Sequence, residues 1–326
     1  MVRGFDFSSP RISFVQWGLP STDSPSEHCM QECSAGRREK HWKHDVKFGV
    51  LATLLLFCCP AYGLEHQSGD PPHSSAGPDQ DWVLKWSDEF NGPNGSAPDP
   101  AKWTMLSGGN GWGNDELEYY TPRQENVRIE DGNLLIEALK SQYIGPDGVK
   151  RRYTSGRLFT RGRFSQAYGR FEARIKIPPG QGVWPAFWLL GDNFPTVGWP
   201  ECGEIDVMEN VDINKAIIRG SIHGPGYSAR KSLTSKFTLP VGEFSDGFHI
   251  FAIEWEPQVI RFYVDGALYA AKTPADLPSG AKWVYDQPFF IILNLAVGGN
   301  LPANPDTATK FPQRMLVDYV RVYSRK

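Results

Sequence analysis

The sequence predicts an all-β fold, a sandwich of two packed sheets, on three observations. Short runs with two-residue alternation recur between turn signals. Gly (33) and Pro (26) are abundant, as short strands with many turns require. No amphipathic helix of about a dozen residues can be drawn after position 81. Taken in order, the predicted strands are 133–138 (NLLIEA), 169–177 (GRFEARIKI), 248–255 (FHIFAIEW) and 259–264 (VIRFYV), each bounded by Gly, Pro, Asp or Asn. Asp265-Gly266 then supplies a tight hairpin turn. Many short strands at regular spacing favour a sandwich over βαβ units. The jelly roll is the preferred architecture, because two packed sheets can bend into a cleft.

Composition bounds the function. The chain has 326 residues, 40% hydrophobic and 22% charged, so it can bury a sizeable core. A formal net charge of −3 argues against a nucleic-acid binder. Eleven Trp, 12 Tyr and 19 Phe suggest an aromatic-lined groove.

The front of the chain reads as a leader. Phe48–Cys59 (FGVLATLLLFCC) is apolar and uncharged, but shorter than the roughly 20 residues that span a bilayer. Lys40, Lys43 and Lys47 precede it, and Pro60-Ala61-Tyr62-Gly63 follows with small residues. That is the pattern of a secretory signal, so residues 1–63 are expected to be an N-terminal extension plus signal peptide. The residues upstream of the signal are explained if translation starts nearer Val46. Residues 64–80 read as a flexible linker, and 81–326 as the folded domain. The protein is expected to be secreted or periplasmic; a lipid anchor at Cys58 or Cys59 is the weaker reading, since Leu-Leu-Phe is a poor lipobox. Of the cysteines only Cys202 lies beyond the leader, so no internal disulfide is expected.

The chemistry centres on Glu201-Cys202-Gly203-Glu204-Ile205-Asp206-Val207-Met208-Glu209. In a strand, Glu204 and Asp206 share one face. Regular alternation puts Glu209 on the other; a bulge near Val207–Met208 brings it back. Three adjacent carboxyls repel, and at least one should stay protonated near neutral pH. A carboxylate beside a carboxylic acid is the equipment of a retaining glycosidase. The alternative is a solvated acidic face or a calcium site. Trp184 and Trp188 lie just upstream, and Trp199-Pro200 leads into the acids. Indole faces stack on sugar rings, which favours a saccharide cleft.

The stretch Val183–Asn210 (VWPAFWLLGDNFPTVGWPECGEIDVMEN) resembles the catalytic region of family 16 glycoside hydrolases, and within it the bacterial laminarinase-like endo-β-1,3-glucanases. WSDEFNG (86–92), GWGNDELEYYT (111–121), YTSGR (153–157) and VDYVRVY (317–323) match in the same order, so the resemblance covers essentially all of 81–326. It implies a β-jelly roll of two bent antiparallel sheets, with the glycan across the concave one. It implies Glu204 as nucleophile, Asp206 as assisting acid and Glu209 as acid/base. Trp184, Trp188, Asn114 and Arg157 match substrate-binding positions. Trp112, Trp199 and His223 are weaker candidates, for which core or loop packing serves equally well. Glu118 stands where Gln is usual, and Gly156 where Ala is common. A structural calcium ion is common in the family and would map to Glu89, the Gly132 carbonyl and Asp318; those acids are equally well strand-edge surface groups.

The expected activity is retaining endo-hydrolysis of internal β-1,3 bonds in laminarin-type β-glucans, by a monomer that needs no cofactor for catalysis. Two alternatives remain. One is a non-hydrolytic β-glucan-binding protein on the same fold. The other is a hydrolase of the same clan acting on mixed-linkage glucan or a galactan. Sulfated galactans would favour a basic cleft, yet removal of 1–63 leaves 27 Lys and Arg against 31 Asp and Glu. Beyond the leader the histidines are His66, His73, His223 and His249, two of them in the linker, so no histidine metal cluster is expected.

Overall fold

A computed structural model describes residues 81–211 and 213–326. The signal segment, the linker over 64–80 and Cys29, Cys33, Cys58 and Cys59 lie outside the described residues. Two antiparallel sheets make the body. One runs in the order Ala267–Lys272, Val259–Val264, His249–Glu256, Gly169–Lys176, Gln313–Arg325, Asn133–Ala138, Val127–Glu130, with Trp82–Asp88 also paired to Gln313–Arg325. The other runs Leu233–Thr238, Ile217–His223, Glu204–Glu209, Val183–Gly191, Phe289–Val297, Arg157–Phe159, Thr104–Met105. The expected β-sandwich is therefore present. The described helical pieces are one short α-helix, Phe194–Val197, and two 3-10 turns.

The predicted strand at 133–138 holds to the residue, as does 259–264. The run at 169 ends at Lys176, one residue early, and the run at 248 begins at His249. Asp265 and Gly266 both take positive φ, as a two-residue hairpin between right-twisted strands demands.

The main core lies between the sheets. Phe171, Ile175, Phe251, Ile253, Trp255 and Val320 come from one sheet, and Phe187, Leu189, Ile205, Ile222 and Leu293 from the other. The alternate residues of the second sheet point away from this core. Two smaller apolar clusters gather there, one around Tyr120, Trp184 and Ala296, the other around Leu190, Phe290 and Ile292. Half-buried Trp188 packs against both. This second face is where every candidate site residue of the acid segment is found.

Candidate active site

The acid strand Glu204–Glu209 carries the predicted bulge. Against Val183–Gly191, Trp188 pairs with Asp206 and Phe187 with Met208, so one step on one strand meets two on the other. Against Ile217–His223, Asp206 pairs with Ser221 and Glu209 with Arg219, again with one residue extra. Val207 and Met208 are consecutive, yet both are buried in the core between the sheets with Ile205. A strand cannot turn two successive side chains inward without such an irregularity. The result is that Glu204, Asp206 and Glu209 share the face opposite the core.

Each acid has a partner from elsewhere. Trp199 donates its Nε1–H to Glu204 Oε2 at 2.8 Å, and Trp184 donates to Glu209 Oε1 at 2.8 Å. His223, directly opposite Glu204 on the neighbouring strand, sets Nε2 2.9 Å from Asp206 Oδ2 and 3.8 Å from Glu204 Oε1. One polar atom each of Glu204, Asp206 and His223 falls within 4.8 Å of the others. The three weaker aromatic and histidine candidates thus divide. Trp199 and His223 touch the acids. Trp112 does not; it donates Nε1–H to the Gly108 carbonyl and stacks on Arg157.

The electrostatics follow from burial. Asp206 and Glu209 are 3% and 8% exposed. Burial, then the charges of Glu204 and Glu209, hold the Asp206 carboxyl well above the ordinary carboxylate range, against the pull of His223. Burial also raises Glu209, with Glu204 adding to it; His223, the Trp184 N–H and Arg219 pull the other way. His223 shows the converse. Burial works against its charge, but Glu204, Asp206 and Glu209 win and push it up to about 10. The Ala229 N–H at 3.2 Å from Nδ1 favours the neutral ring. One long hydrogen bond is outweighed by carboxyls this close in a buried site. The arrangement can therefore hold a protonated carboxyl and an ionised one side by side, with a cation between them.

A second group of contacts is built around Arg157. Its guanidinium lies 4.7 Å from the Trp112 ring centre and 4.9 Å from that of Trp188. Trp188 donates Nε1–H to Asn294 Oδ1 at 2.8 Å, Asn294 donates to the Tyr120 hydroxyl at 3.3 Å, and Tyr120 donates to Glu116 Oε2 at 2.9 Å. Asn114 donates to Glu116 Oε1 at 3.3 Å. The sequence reading missed Asn294, Tyr120 and Glu116. Asn294 did leave a signal, as the lone polar residue in FFIILNLAV. Gly156, before Arg157, has no room for the common alanine, whose Cβ would collide with Val127.

The residues suggested for calcium do not fit a hard cation as they stand. Glu89 is forked onto Arg321 at 2.9 and 2.8 Å, and that guanidinium holds its carboxyl below the usual range. Asp318 pairs with Arg174 at 2.8 Å, and Gly132 sits in the turn between Val127–Glu130 and Asn133–Ala138. Both carboxylates are already neutralised by arginines from neighbouring strands.

Comparison with known proteins identifies the family. Residues 114–321 match the model for glycosyl hydrolases family 16. The chain is 43% identical over 277 residues to a Rhodothermus marinus β-glucanase, covering 82% of this chain and 91% of that one. It resembles the solved endo-β-1,3-glucanase of Pyrococcus furiosus at 48% identity and a TM-score of 0.72, covering 75% of this chain and 95% of that one. The laminarinase catalytic domain of Thermotoga maritima follows at 47% and 0.71, with 76% and 100% covered. With a family model matched over residues 114–321 and 43% identity to a β-glucanase over 82% of its length, the chain belongs to family 16 of the glycosyl hydrolases.

Proposed function

We propose that this chain is a retaining endo-β-glucanase that cuts internal β-1,3 bonds of laminarin-type glucans. The observation that carries the reading is the bulged strand, which puts Glu204, Asp206 and Glu209 on one face beside Trp184, Trp188 and Trp199. The Glu204 carboxylate attacks the anomeric carbon, while protonated Glu209 gives its proton to the leaving oxygen. Glu209, now ionised, takes a proton from water, and that water releases the sugar from Glu204. Asp206, with His223 Nε2 2.9 Å from its Oδ2, lies beside Glu204 on the same face and orients the nucleophile. The β-1,3 preference is supported by the names of the Pyrococcus and Thermotoga relatives. A panel of laminarin, mixed-linkage glucan and agarose should show laminarin cut fastest into mixed short oligosaccharides. Proton NMR should show the β anomer first. First appearance of the α anomer, or a folded protein that binds laminarin without cutting it, ends this reading.

The role of Trp184 has its own test. Its N–H stabilises the ionised form of Glu209, whose raised pKa sets the alkaline limit of activity. Trp184→Phe removes that donor, so the acid form should persist further. The alkaline limb of kcat/KM is expected to move to higher pH. A limb that stays put, or moves down, would show that another group controls it.

A further inference from the structure

Glu118 is buried to 0% exposure in the short strand Glu118–Tyr120, and the mechanism makes no use of it. Its Oε2 accepts the Val297 N–H at 2.6 Å. Its Oε1 is buried with no donor facing it. The group beside it is the carboxyl of Glu116, itself 3% exposed. Ionised carboxylates are acceptors only, so two of them side by side have nothing to share. One proton between them satisfies both. Glu116 already accepts Asn114 on Oε1 and the Tyr120 hydroxyl on Oε2, whereas Glu118 Oε1 accepts nothing, which places the shared hydrogen on Glu118.

We propose that Glu118 is a neutral carboxylic acid at working pH, donates its O–H to Glu116, and thereby positions Asn114, Tyr120 and, through Asn294, Trp188 along the glycan cleft. Burial and the Glu116 charge both push Glu118 well above the usual carboxylate range. The groups facing it from neighbouring elements do not cancel this. The paired strand Tyr153–Ser155 sets Tyr153 opposite Glu118 and brings no cation, and strand Phe289–Val297 presents the Val297 N–H, while its Asn294 amide donates to the Tyr120 hydroxyl. The Tyr120 hydroxyl is itself held far up by burial and by these two acids. The Arg157 guanidinium is near Tyr120, 5.9 Å from its ring centre, and is spent between the Trp112 and Trp188 rings. Glu118 is a positioning residue, and it makes the wall of the cleft sensitive to alkali.

Glu118→Gln supplies an N–H where the acid supplies an O–H and cannot ionise. The carboxyl pKa is raised in the fold, so wild type loses stability as pH rises from the ordinary glutamate range towards the raised value. Thermal midpoints of the two proteins should coincide in acid. They should then diverge in the variant's favour by about 3 °C per pH unit. The KM of wild type for laminarin should rise with alkali by up to about tenfold per pH unit relative to the variant, with kcat following one common profile. The KM arm rests on the β-glucanase reading and the melting arm does not, so a protein inert on laminarin still tests Glu118. Superimposable melting profiles overturn the proposal. So does a Glu118→Gln protein that fails to fold, since the amide is the closest mimic of the neutral acid.

Discussion

Glu204→Gln should cost turnover on the order of 10⁴-fold or more, because no other group can form the bond to the anomeric carbon. Glu209→Gln should cost about 10²–10⁴-fold, the usual worth of a positioned proton donor. Neither change should harm the fold, and the reason is electrostatic. Glu209 has a raised pKa, so its ionised form is a cost to the native state above the ordinary glutamate range. Replacing it with an amide that can still accept the Trp184 N–H removes that cost. The thermal midpoint of Glu209→Gln should therefore lie above wild type at neutral and alkaline pH and converge with it in acid. Initial rates on laminarin with matched melting curves make the measurement. A variant with near-wild-type rates would sink the assigned roles, and a variant that melts lower would show that the carboxyl had been stabilising.

His223→Gln carries the second large effect, on stability. His223 is the cation in a group of three acids, and its side chain and that of Asp206 are 12% and 4% exposed. Removing the cation from this buried group costs about 3 kcal/mol, because the carboxylate charge that remains among the three acids keeps its desolvation penalty. For a domain of this size that is roughly 10 °C. The sign with pH is fixed by the raised histidine pKa. The contribution is complete below the unfolded-state value near 6.5 and is lost as pH rises through about 10. The gap in melting temperature between wild type and His223→Gln should therefore be widest near pH 6 and close in strong alkali. A gap independent of pH would mean that His223 holds its neighbours as a neutral ring, through the Ala229 N–H and one donor to Asp206.

Two features of the acid strand explain why its bulge was legible. Ile205, Val207 and Met208 are apolar while Glu204, Asp206 and Glu209 are acidic, and only a bulged strand satisfies both sets. The four strands predicted from alternation all belong to the first sheet and could be read as far as that alternation lasted. The strand Val183–Gly191 could not, because it is buried on both faces and its pattern carries no period. Trp184 and Trp188 were singled out there by residue type and by the family resemblance, not by a strand pattern.

What the amino-acid order determined by itself was the β class, the hairpin at Asp265-Gly266, the bulge and the three acids. These are local, since alternation, turn chemistry and side-chain charge are set within a few residues. Tertiary structure alone decided which groups meet those acids. It brought His223 to Asp206, Asn294 to Trp188, Glu116 to Glu118, and Arg321 to Glu89. Burial and charge pairing are sums over neighbours distant in the chain, so protonation states appear only once the sheets are packed.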